Sequence, residues 1–148
     1  MNAEELGDYL RDRIPLTRAM AVEVRAAGVD GVELYAPLAP NINHRDTVFG
    51  GSASAVAILA AWSALHVRMR AAGLDVRLVI RRNTMSYERP ITTDFTATAA
   101  PPTGEAWEKL VATAARGRPA RVNVAAQLYC EGLLVGELDG EFAVLPKA

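Results

Sequence analysis

The sequence predicts an α+β fold: an antiparallel sheet of about six strands with one long helix lying on it. Several stretches alternate apolar and polar residues with a period of two, the mark of half-buried strands. A single run, residues 47–67, carries no charge over the length of a long helix. The strands follow one another through short turn signals, so hairpin-like pairing dominates. A doubly wound parallel sheet is excluded, because that fold alternates strands with helices throughout.

Leu6, Leu10 and Ile14 recur at helical spacing, and Pro15 ends that leading helix because proline cannot continue the backbone ladder. From Met20 the period changes to two, with Met20, Val22, Val24 and Ala26 on one face and Ala21, Glu23 and Arg25 on the other. Gly28-Val29-Asp30-Gly31 reads as a tight turn into a second strand on which Val32, Leu34 and Ala36 alternate with Glu33 and Tyr35. The long helix is expected over residues 49–72, with Gly73 as its C-cap and Arg68 and Arg70 near the negative end of its dipole. Residues 75–87 form a third strand ended by Pro90, and Phe95, Ala97 and Ala99 mark a fourth. Residues 105–115 fit either a short helix or an extended loop. The strongest alternation is Val122, Val124, Ala126, Leu128 and Cys130 against Arg121, Asn123, Gln127, Tyr129 and Glu131, and a last strand follows over 133–145.

The 148 residues are one domain's worth of chain, and 51% hydrophobic content supplies a core. Sixteen basic and seventeen acidic residues give a net charge of -1, so no field of one sign attracts nucleic acid or an anionic membrane. One cysteine, Cys130, cannot form an intramolecular disulfide, and two histidines with it are too few for a structural zinc site. No metal or cofactor is expected, and a reducing, cytoplasmic setting fits. Residues 1–13 lack the basic and apolar regions of a signal peptide. The uncharged run has membrane-spanning length, but its glycines, serines and alanines suit a helix packed inside a protein.

Asn41-Ile42-Asn43-His44-Arg45-Asp46-Thr47-Val48-Phe49-Gly50-Gly51-Ser52 resembles the thioesterase family typified by the C-terminal domain of the bacterial YiiD acetyltransferase. Tyr87-Glu88-Arg89-Pro90-Ile91, followed by Asp94-Phe95, resembles the strand-turn-strand element of hotdog thioesterases in general. The resemblance spans about residues 6–146 and implies the hotdog fold, with the sheet wrapped around the long helix. It also implies a homodimer or dimer of dimers in which the 76–87 strand pairs with its copy and the sites lie between subunits. Arg77, Arg81 and Arg82 offer the alternative, charges that protect that edge in a monomer.

Thioester hydrolysis needs a polarised carbonyl, an activated water and an acyl pocket. Amides opening the long helix at Gly50, Gly51 and Ser52 lack intrahelical partners and sit at its positive dipole end, and glycine admits close approach. The same glycine pair is also explained by close helix-to-sheet packing. Many hotdog thioesterases carry a helix carboxylate seven residues beyond the second glycine; here that position is Ile58. Asp46 and His44 are therefore the candidate bases, a histidine being suited to proton transfer near neutrality. Asp46 or Thr47 capping the helix is the competing reading. Asn43 completes the candidate catalytic set with Gly51, while Asn41, Thr47, Phe49, Gly50 and Ser52 are candidate substrate contacts. Asn83 and Ser86 are expected to complete the site from the second copy. Arg116, Arg118 and Arg121 suit coenzyme A phosphates, since guanidinium offers forked donors, although an ordinary solvated turn has the same composition. Ser52 is not a nucleophile, because the nucleophile elbow's last glycine and leading strand are missing. Cys130 and His66 read as packed side chains.

These features lead to an acyl thioester hydrolase acting on acyl-coenzyme A or an acyl carrier protein. A dimeric acyl-ligand binding module without turnover is the alternative, kept open by Ile58. A hotdog hydratase or dehydratase is a third reading, on the faint match of Asn41-Ile42-Asn43-His44 to a hydratase loop that carries a proline missing here.

Overall fold

The computed structural model describes residues 1–147. Helix α1 (Ala3–Arg13) starts where the Asn2 side chain accepts the Glu5 amide at 2.9 Å, satisfying one orphan donor, and buries Leu6 and Leu10. Pro15 then opens a further single turn, α2 (Leu16–Ala19), which the alternating pattern hid. Ala21 in a left-handed conformation (φ 55) ends it, and the Val22 amide donates to the Thr17 carbonyl at 3.0 Å. Strand β1 (Glu23–Gly28) therefore begins three residues later than the alternation from Met20 implies. A register shift between Val24 and Ala26 also reverses the faces, so that Ala27 rather than Ala26 lies opposite buried Val32.

The turn at Val29-Asp30 leads into β2 (Gly31–Ala36), whose inward residues are Val32, Leu34 and Ala36. The remaining strands are β3 (Val76–Tyr87), β4 (Phe95–Ala99), β5 (Ala120–Cys130) and β6 (Leu133–Pro146). All neighbours pair antiparallel in the order β1-β2-β4-β5-β6-β3, which leaves β1 and the twelve-residue β3 as edges. The segment left open between helix and loop is a helix, α4 (Gly104–Ala115), so the run of four strands after the long helix is interrupted. It buries Leu110 and places Trp107 under the Arg68 guanidinium at 4.7 Å.

Helix α3 (Gly50–Ala71) contacts every strand of the sheet. Ala53, Ala57, Ala60, Ala61 and Ala64 are all buried, and their small side chains let the helix backbone approach the sheet closely. An 18-residue window of α3 reaches a mean hydropathy of 1.3, enough for a membrane span, but 56% of it is buried inside this domain. The helix ends as expected: Gly73 (φ 74) donates to the Arg70 carbonyl at 2.9 Å and Leu74 to that of Met69 at 3.0 Å, a Schellman pair of bonds. A six-stranded antiparallel sheet wrapped about one central helix is the hotdog architecture.

Beneath α3, the sheet supplies Phe95, Ala97, Ala126, Leu128, Leu138 and Phe142 to the core, all 0–1% exposed. Leu128→Ala removes a fully buried side chain from the middle of β5 and is expected to cost about 2–5 kcal/mol, as truncations of this kind do, read as a lower urea midpoint.

Candidate functional site

The loop before α3 is built by its two asparagines. Asn41, 2% exposed, donates from Nδ2 to the Met20 carbonyl at 3.0 Å and the Pro37 carbonyl at 2.7 Å, and its own carbonyl accepts the Phe49 amide at 2.7 Å. Asn43 Oδ1 accepts from the amides of Arg45 (2.8 Å) and Thr47 (3.2 Å), while its Nδ2 donates to Thr47 Oγ1 at 2.9 Å. This is a side-chain-mimicked turn. Turn formation thus accounts for the Asn43 side chain and for the Asn41 amide nitrogen, while Asn41 Oδ1 is buried with no partner among the described residues. Thr47 is engaged in the same turn.

The tip of that turn carries His44 and Asp46, both exposed, with Asp46 in a left-handed conformation (φ 62). Neither side chain makes a hydrogen bond or ion pair among the described residues. The capping reading of Asp46 and Thr47 is corrected here. The N-cap of α3 is Phe49, with no side-chain bond to the first turn, and that turn holds no acidic residue. The first intrahelical bond is Ala53 amide to Phe49 carbonyl at 3.1 Å, which leaves the amides of Gly50, Gly51 and Ser52 unpartnered at the positive end of a 22-residue helix.

Two aromatic rings flank these amides, each on a side chain 58% exposed. The Phe49 ring folds over Gly51 so closely that a Cβ there would push this exposed ring aside. Tyr87, at the end of β3, donates its hydroxyl to the Gly50 carbonyl at 3.0 Å and lays its ring 3.5 Å from where a Gly50 Cβ would be. Tyr87 stands in the quoted motif without a part in the site, because the alternation of Val76, Leu78 and Ile80 puts it on the outer face; the register shift after Ile80, which the pattern does not show, turns it toward the helix.

Register separates the two candidates on β3. Ile80 lies opposite Phe142, and after a shift between Ile80 and Arg82, Asn83, Met85 and Tyr87 lie opposite Gly140, Leu138 and Gly136 on the helix side. Ser86 lies opposite Glu137 on the other face, so Asn83 and Ser86 do not share a site within the chain. Arg116 and Arg118 occupy the turn after α4, and Arg121 is opposite Ala143, seven residues along β6 from the Gly136 that faces Tyr87. That is about 23 Å at strand rise, so the arginines are not brought together with the helix start. Asp94 is engaged elsewhere: it accepts the Tyr35 hydroxyl at 2.5 Å, a bond that raises the Tyr35 pKa because ionisation would break it. Cys130 is a buried free thiol, as expected.

From Gly51, one face of α3 continues through Ala55, Ile58 and Trp62 at helical spacing. Those three side chains, with Met20, Ile80 and Phe142 among others, line an apolar cavity of about 280 Å³. Ile58 therefore faces a greasy chamber, where a carboxylate would be costly to ionise. Beyond Trp62, His66 is packed as expected: its ring stacks on Trp62 at 4.5 Å and on Tyr9 at 4.8 Å, and its Nε2 is buried without a partner. Burial first, then the charges of Arg70 and Lys147, lowers its pKa to about 4.

This shift fixes a direction of pH dependence. Unfolded histidine takes up a proton near its ordinary pKa of about 6.5, while folded His66 stays neutral until about pH 4. Stability is therefore full above pH 6.5 and falls as pH drops through that window, by about 1–2 kcal/mol once partial exposure is allowed for. His66→Phe, which keeps the ring stack, is expected to flatten the unfolding midpoint against pH between 6.5 and 4.

The comparisons with known proteins agree with this fold. A protein from Shewanella oneidensis described as a "putative thioesterase" superposes with a TM-score of 0.88 at 26% identity, covering 97% of each chain. A Chlorobaculum tepidum protein of unknown function gives a TM-score of 0.91 at 25% identity over 98% of this chain and 94% of its own. A Pseudomonas aeruginosa protein described as a probable thioesterase shares the fold at 19% identity, with a TM-score of 0.79 over 97% and 96% of the two chains. No curated protein matches the chain in sequence. The model of the family described as "Putative thioesterase (yiiD_Cterm)" matches residues 3–146, and the chain belongs to that family.

Proposed function

We propose that this protein hydrolyses acyl thioesters of coenzyme A or an acyl carrier protein. The observation that carries the reading is the uncapped start of α3, where three amides and an uncompensated dipole lie open between the Phe49 and Tyr87 rings. A thioester carbonyl accepting from Gly51 gains charge as water adds, and preorganised amides stabilise that developing oxyanion more than the ground state. The attacking water loses its proton to Asp46 or His44, both exposed on the turn that leads into the helix. The tetrahedral intermediate then expels the thiolate, which takes a proton, leaving a free acid and a free thiol. Arg121 lies at the Leu78 end of the sheet, away from Tyr87, so the arginines at 116, 118 and 121 are candidates for a carrier arm only where a second copy brings them beside the helix start. The twelve-residue edge β3 supports assembly with a second copy: antiparallel pairing would set the copy's β3 start beside Tyr87. A reducing, cytoplasmic setting remains part of this reading.

Ile58 in the apolar chamber favours one second reading, a dimeric module that binds acyl ligands without turnover. Thiol release from acyl-coenzyme A of graded length separates the two: release supports the hydrolase, while binding without release at every length overturns it. Asp46→Asn is expected to lower the rate by about 10²-fold, the usual loss for a general base, with His44→Ala near wild type; the reverse result assigns the base to His44. Gly51→Ala should leave the thermal midpoint unchanged or higher, since alanine is the better helix former by about 1 kcal/mol. Its turnover should fall about tenfold or more, because the displaced Phe49 ring disturbs the bound carbonyl, and small misplacements cost rate steeply.

A further inference from the structure

We propose that Trp62 is the end wall of the acyl site and sets the longest acyl chain that the protein accommodates. The inference rests on the thioester reading above and adds a substrate class to it, acyl groups of medium length. Helix α3 and strand β3 run alongside each other in opposite directions, tied at one end by the Tyr87 hydroxyl on the Gly50 carbonyl and at the other by Trp62 Nε1 on the Leu78 carbonyl, both at 3.0 Å. Between the two ties lies the 280 Å³ cavity, its walls Ala55, Ile58 and Leu59 on the helix side and Ile80 and Phe142 on the sheet side. Ala55, the first helix residue on its wall, lies one turn beyond Gly51 on the same face of α3, so an acyl chain whose carbonyl sits at Gly51 would reach the slot after that turn.

Trp62 borders this cavity and also a second one of about 430 Å³, whose lining differs in kind: His66, Arg13, Arg70, Arg77 and the Asp75–Lys147 ion pair (2.6 Å) bring rings and charges of both signs. The indole is thus a partition between an apolar chamber and a charged one. It is held on both sides, by its hydrogen bond to β3 and by the stack with His66 and Tyr9. A methyl terminus meeting this wall can go no further without displacing a bonded, stacked ring.

The helix sets the length. From Ala55 to Trp62 it rises about 10 Å, roughly nine bonds of a chain that advances ~1.2 Å per bond when extended. Adding the turn from Gly51 to Ala55 puts the ceiling at about 12–14 carbons.

The test uses S-alkyl coenzyme A thioethers of 6 to 18 carbons, which bind without being cleaved, with calorimetry on the full chain. Affinity should rise about fourfold per methylene, the value of one buried CH₂, and stop rising at about 12–14 carbons. Trp62→Ala should move that break to longer chains. Ala55→Phe, which fills the chamber without cutting a large side chain, should move it to shorter ones, so the inference stays testable if Trp62→Ala does not fold. An unbroken rise to 18 carbons in the wild type, no binding of any thioether, or an unmoved break in folded variants would overturn it. Absence of thiol release from the matching thioesters, with the break in place, would sink the hydrolase reading and leave the wall standing.

Discussion

A helix can be enclosed by a sheet only if its side chains are small enough to let the two backbones approach, and the alanines of α3 meet that condition. Ala57, Ala60, Ala61 and Ala64 are inaccessible to solvent, and the strands close around them. The consequence extends to both helix ends. The C-terminal end is finished by Gly73 and its two bonds to carbonyls of the last turn. The N-terminal end has neither a capping side chain nor an acidic residue. A long buried helix with one satisfied end and one unsatisfied end presents its polarity at a single place, and that place lies beside the loop and the end of β3.

The residues around this end divide by task. The amide nitrogens of Asn41 and Asn43, with Asn43 Oδ1, are committed to backbone and side-chain bonds that shape the loop, whereas the His44 and Asp46 side chains at its tip are unbonded. The open groups are amides, and the walls beside them are the rings of Phe49 and Tyr87. Apolar surface next to unpartnered amides strengthens their pull on a developing negative charge, since less water competes for it. Farther along the helix the surroundings become apolar around Ile58 and then charged beyond Trp62.

Much of this was legible in one dimension, and the misses have definite causes. Period-two alternation located β2 through β6 well, because a strand with one buried face writes its face into the sequence. It failed at Met20 to Ala26, where the end of a helical turn, a left-handed Ala21 and a bulge sit inside an apparently regular pattern. Asn83 and Ser86 share a strand, but their odd spacing of three residues sets them on opposite faces, and the bulge before Asn83 decides which of the two faces the helix. The arginines at 116, 118 and 121 were near the site only by analogy of position, and the strand register puts them at the other end of the sheet.

The sequence by itself determined the α+β class, the long central helix with its glycine start and glycine stop, and the absence of a carboxylate at residue 58. Each follows from local rules of spacing, conformation and residue chemistry. Only the tertiary structure decided which polar groups remain available, that Phe49 and Tyr87 flank the helix start, and that Trp62 divides an apolar chamber from a charged one. Those facts depend on contacts between residues such as Tyr87 and Gly50, or Trp62 and Leu78, which are far apart in the chain and meet only when the sheet closes around the helix.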